Sequence, residues 1–151
     1  MPADEFPPTE RHLGGIDDDE LIFRKIPVSQ SWYDPEKKFL SIQAFKPNKN
    51  RDLSGISMDR ARCEKHPEFR SIEEAAIGKS PNGYYVAVLR VGDLRAHGIS
   101  LESRPLQDNP GHAELPDLRA DNRNEDKAIA IKDALVRLVL EVQGPFLSAN
   151  T

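Results

Sequence analysis

Tyr84-Tyr85-Val86-Ala87-Val88-Leu89 is apolar or aromatic at every position, preceded by the turn-forming Ser80-Pro81-Asn82-Gly83 and followed by Arg90. A run this short and continuous reads as a strand covered on both faces, because an amphipathic helix needs a longer 3.6-residue repeat. It belongs in mid-sheet. A strand buried on both sides requires neighbours in its own sheet and a layer above and below it.

The flanking sequence supplies those parts. Upstream, Ser71-Ile72-Glu73-Glu74 predicts a capping box, with Ser71 accepting from the backbone three residues on and Glu74 reaching back, and a helix ending near Lys79. Downstream, Val91 to His97 predicts two helical turns stopped by Gly98, and Ile99 to Glu102 a further strand. Leu21-Ile22-Phe23-Arg24-Lys25-Ile26-Pro27 predicts a first strand ending where proline withdraws its donor, with Arg24 among apolar neighbours. Phe39 to Phe45 alternates as a second strand would, and Gly55 to Asp59 suits a third. Between the first two, Trp32 and Tyr33 sit in a loop whose aromatics cover the core. Residues 103–123, with Pro105, Pro110, Gly111 and Pro116, read as a long ordered loop or an interrupted strand, a kind of segment that is often functional.

From Asp126 to Val142 the polar residues gather on about a third of the helical circumference, leaving a broader apolar surface than one sheet face covers. Such a helix is either deeply buried or meets another chain. The expected fold is therefore α+β: a small mixed or antiparallel sheet of about five strands, two short helices and a long C-terminal helix across one face. One domain over 21–143 is expected between a disordered acidic tail, 1–20, and a flexible C-terminus, 144–151.

Composition bounds the function classes. The chain has 151 residues, one cysteine and a formal charge of −4. Residues 1–20 carry seven acids against Arg11, so the remainder is slightly basic, and residues 37–70 hold nine Lys or Arg against four acids. The acidic tail is expected to dock on a basic surface, its own 37–70 region or a partner's. No apolar run reaches the length that spans a bilayer, and the first residues lack the order of a secretory signal, so a soluble cytoplasmic protein is expected. A lone Cys63 cannot close an internal disulfide, and Cys63-x-x-His66 is half a zinc site without its second pair. No metal and no cofactor are expected.

No phosphate-cradling glycine loop, nucleophile elbow or H-E-x-x-H motif occurs. A looser set remains: Arg24, Ser41 and Ser57 on successive predicted strands, and Asp108-Asn109-Pro110-Gly111-His112-Ala113-Glu114 in the late loop. His112 follows a Pro-Gly turn, and Asp108 is near enough in sequence to orient an imidazole. If the chain is an enzyme, His112, Asp108, Arg24 and Ser41 are its catalytic candidates, with a nucleotide or RNA phosphate as substrate.

The Leu-Ile-Phe-Arg strand, the later strand serine and the late acid resemble the arginine, serine and glutamate scheme of ADP-ribosyltransferase-like folds. That resemblance implies a cofactor-binding Arg24, a strand-supporting Ser41 and a catalytic Glu114, but the family's Ser-Thr-Ser tract and glutamate turn are missing. Arg24 to Pro27, Ser41 to Phe45, Gly55 to Ser57 and Asn109 to Ala113 are also similar in order, over residues 20–142, to a group of small bacterial proteins with no assigned activity. The leading expectation is a non-catalytic protein-binding accessory component of a bacterial system of the defence or toxin–antitoxin kind. It would bind through Lys46, Lys49, Arg51, Arg60 and Arg62, or meet a protein partner or second copy along the 126–142 helix. Nucleic acid is not favoured, because no recognisable binding module is present, and no membrane partner is expected.

Overall fold

The computed structural model describes residues 15–120 and 124–147. Six strands form one antiparallel sheet: β1 (Leu21–Pro27), β4 (Ile56–Arg60), β5 (Tyr84–Arg90), β6 (Glu102–Ser103), β7 (His112–Leu115) and β8 (Glu141–Phe146). Their spatial order is β6-β7-β4-β1-β5-β8, and β2 (Tyr33–Asp34) pairs with β3 (Phe39–Leu40) as a separate hairpin. The helices are α1 (Ile72–Ala75), α2 (Val91–Ala96) and α3 (Glu125–Leu138). The class is α+β, with six sheet strands where about five were expected. No helix among the described residues is long and apolar enough to cross a membrane.

β5 is buried along its apolar run because both of its faces are covered. Tyr85, Ala87 and Leu89 point into the main cluster with Ile22, Ile26, Ile56, Met58, Leu94 and Leu135. Tyr84, Val86 and Val88 point the other way, against Phe23, Ala75 and Ala76. β5 is an interior strand, although it lies one from the edge and not at the centre.

Local chemistry explains where the chain departs from its pattern. Phe39 to Phe45 is not one strand: Ser41 Oγ accepts from the Gln43 amide at 3.1 Å and starts a 3-10 turn over Ile42–Phe45. A serine that offers its own backbone a partner competes with the strand ladder. The helix at Ser71 has both arms of its capping box, but it ends after Ala75, and the Lys79 and Ser80 amides donate to Tyr84 Oη at 3.0 Å instead of continuing it. The C-terminal helix stops at Leu138, and the chain then forms β8 against β5. The expected boundary at 143 therefore falls inside a strand that runs to Phe146, while residues 148–151 lie outside the described residues.

The expected acidic tail is divided in the same way. Residues 1–14 lie outside the described residues, but Ile16 joins the main core and Glu20 is buried. Asp17 pairs with Lys65, Asp18 with Arg95 and Glu20 with Arg60, so residues 15–20 dock on the protein's own basic side chains. At Gly55, φ is 144° and an added Cβ would stand 2.5 Å from Leu115 O, so only glycine lets the chain enter β4 this close to β7.

Candidate functional site

The two faces of the sheet differ. Alternate residues of a strand point to opposite faces, and α2, α3 and the 3-10 turn cover the thick face, where Ile22, Ile56, Met58, Ala113 and Leu115 are buried. Among the described residues, the opposite, thin face is covered by α1 over its β1–β5 half. On the other half β4 and β7 present Ser57, Asp59, His112 and Glu114, none of them fully buried. The register sets Ser57 opposite Glu114 and Asp59 opposite His112, with Glu102 beside Glu114 on β6.

Each of these polar groups has a defined partner. His112 Nδ1 is 2.9 Å from Arg104 O, and Nε2 is 3.3 Å from Ser57 Oγ. Ser54 Oγ donates to Glu114 Oε1 at 2.7 Å, and Asn109 Nδ2 to Asp59 Oδ1 at 2.7 Å. On β1, Lys25 donates to Ile77 O at 2.7 Å and lies 4.6 Å above the Tyr84 ring. Burial there holds the Lys25 ammonium below its ordinary range, against the opposing pull of Tyr84 and Asp59.

The four expected catalytic residues do not converge. Arg24 points into the thick side, where Nε donates to Ala44 O at 2.9 Å and Nη1 to Ser57 O at 3.0 Å. Burial pushes it down to about 10 while Asp52 counters, and it remains a cation tying the 3-10 turn to β4. Ser41 spends its hydroxyl on the 3-10 turn. Asp108 is exposed at the rim of a cleft of about 320 Å³ with Arg62 and Arg70, and it does not orient His112, whose Nδ1 is held by Arg104 O. Arg24, Ser41 and Glu114, the trio implied by the ADP-ribosyltransferase resemblance, likewise fall on different sides of the sheet and its loops.

The expected basic surface is broken up too. Lys46, Lys49 and Arg51 are exposed, but Arg60 is fully buried, with Nε and Nη2 on the Glu20 carboxylate at 2.8 and 2.7 Å and its Cζ 4.8 Å from the Phe69 ring centroid. Arg60 is therefore unavailable to a partner. Arg62 is engaged by Glu74 and Phe69 O. Cys63 is exposed, and His66 stacks on Phe69 instead of joining it at a metal. Among the described residues, no group of three or more His, Cys, Asp or Glu is placed to hold a metal ion.

A second location was only half legible. The β2–β3 hairpin, the end of α3 and the start of β8 enclose a groove of about 540 Å³, lined by Tyr33, Phe39, Val136, Val139, Leu140 and Val142, with Lys38 and Glu141 also on its walls. Lys38 adopts φ 52°, a left-handed conformation uncommon for a side chain with a Cβ. Helix α3 is not deeply buried, since only Leu135 is fully enclosed. β8 lies at the sheet edge. No known protein family, curated protein or solved structure matches this chain.

Proposed function

We propose that this chain is a protein-binding component that engages its partner along the groove between the β2–β3 hairpin, the end of α3 and β8. The observation that carries this reading is the apolar surface left in water there: Phe39 is 61% exposed and Leu140 56%, on the two sides of the groove. Contiguous exposed apolar surface rimmed by polar groups marks interaction sites. The adjoining edge strand offers backbone groups for pairing, with Gly144-Pro145 blunting its far half and Glu141 to Gln143 left open.

A second copy of the chain fits this surface. Lys38 and Glu141 line the same groove with opposite charges, so a two-fold axis sets each against its counterpart on the other copy. Light scattering on the eluting protein should show a mass rising from 17.0 kDa towards twice that value with concentration, and Leu140→Asp should stay at 17.0 kDa with an unchanged thermal midpoint. A wild-type mass of 17.0 kDa at every concentration overturns self-association.

A further inference from the structure

We propose that Ser57 and His112 form a nucleophile–base pair that cleaves uncharged carboxylic esters on the open half of the thin face. This goes beyond the binding groove and departs from the non-catalytic expectation. Ser57 is exposed, and its Oγ lies 3.3 Å from His112 Nε2. The other ring nitrogen settles which atom is the base: a backbone carbonyl can only accept, so His112 Nδ1, 2.9 Å from Arg104 O, carries the proton. In the neutral imidazole Nε2 is then the unprotonated nitrogen, and it faces the Ser57 hydroxyl. A nucleophile in reach of a base that is itself oriented by a third group is the arrangement nucleophilic catalysis requires. At 3.3 Å the contact is slightly longer than the reach of about 2.6–3.2 Å between a nucleophile and its base, as is common before substrate closes the site.

The sheet holds this geometry. Ser57 and His112 sit on adjacent paired strands, diagonal to one another across the Ser57–Glu114 and Asp59–His112 pairs, so neither depends on a loop for its position. Glu114 is occupied by Ser54, and Asp59 by Asn109, which leaves the Ser57 hydroxyl to His112.

The neighbouring charges select the substrate. Asp59, Glu114 and Glu102 flank the pair, and Arg104, bridged to Glu102 at 2.7 Å and 4.0 Å from Glu114, offsets one of the three, so the remaining acidic excess weighs against a nucleotide or RNA substrate. Lys25 on β1 lies on this same face, but its ammonium is turned towards β5, where it donates to Ile77 O and sits above the Tyr84 ring.

The steps balance without a further reactant. Ser57 Oγ attacks the acyl carbon as its proton passes to His112 Nε2. The tetrahedral adduct collapses, the bond to the alcohol oxygen breaks, and the alcohol leaves with that proton. Water, deprotonated by His112, then attacks the acyl-serine, releasing the carboxylic acid and restoring the hydroxyl.

Treating the full chain with a fluorophosphonate, whose fluoride the serine oxygen displaces, tests the pair directly. Intact mass and peptide mapping should find one adduct, on Ser57, absent from Ser57→Ala and formed at least about a hundredfold more slowly in His112→Gln, the lower end of what a general base contributes. Hydrolysis of p-nitrophenyl butyrate should fall in step, with thermal melts confirming that both variants fold. No adduct on the wild type, an adduct that persists in Ser57→Ala, or an unchanged rate in His112→Gln would each overturn the proposal. None of these results depends on Leu140 or on self-association, so the groove and the pair fail or stand separately.

Discussion

The thick and thin faces of one sheet are built from the same strands, residue by alternate residue, yet they carry different loads. On the thick face α2, α3 and the 3-10 turn close over Ile22, Ile26, Ile56, Met58, Leu89 and Leu115. On the thin face α1 shields Phe23, Val86 and Val88, and the β4–β7 half is left to Ser57, Asp59, His112 and Glu114. Hydrophobic burial scales with the area taken from water, so stability is concentrated on one side. The other side is free to keep polar groups at fixed spacing, which a packed layer would not tolerate.

The largest expected effect lies where the thick face closes. Arg60 is fully buried on the strand positions that face this layer, and Glu20 supplies two of its hydrogen bonds. Removing one member of a buried pair leaves an uncompensated charge, so Glu20→Ala should cost about 3–5 kcal/mol in urea unfolding. A loss below about 1 kcal/mol would mean that the buried charge is satisfied some other way.

The thin face should yield a smaller loss. Ser71 caps the four-residue α1 and accepts from Glu74 N at 3.2 Å, so Ser71→Ala should cost about 1 kcal/mol. Glu74 completes the box by accepting from Ser71 N at 2.8 Å, and that bond, with the Ser71 side chain and Arg62, holds its carboxyl below the ordinary 4.5. A depressed carboxylate contributes stability that is present above its unfolded value and lost as the pH falls through its folded value. The penalty of Ser71→Ala should therefore be seen in full near neutrality and shrink as the pH drops below 4.5. A penalty that is the same at pH 7 and pH 3 would contradict that coupling.

The fold was largely legible in the sequence, and the candidate site was not. The continuous run at 84–89, the Pro27 stop, the Ser71 box and Gly98 at φ 72° all act through local chemistry, and each appears where the residues place it. β8 was missed because Glu141 to Phe146, with Gly and Pro inside it, has no strand pattern of its own and depends on β5 for its pairing. Arg60 read as surface charge because nothing near it in sequence announces Glu20, forty positions away.

The candidate pair was hidden for the same reason. Ser57 and His112 are 55 residues apart, and only the β4–β7 register makes them neighbours. Asp108, close in sequence to His112, was the natural orienter, but the strand geometry gives that place to the carbonyl of Arg104. Proximity along the chain predicted turns well and partners poorly.

Two adjacent residues of β4 test the division between the faces most directly. Met58 points into the thick layer at 1% exposure, and Ser57 points into solvent on the thin face. Urea unfolding of the two alanine variants side by side should show Met58→Ala losing about 2–5 kcal/mol and Ser57→Ala staying within about 0.5 kcal/mol of wild type. Equal losses, or a larger one at Ser57, would contradict the claim that one face of this sheet holds the fold and the other is free to act.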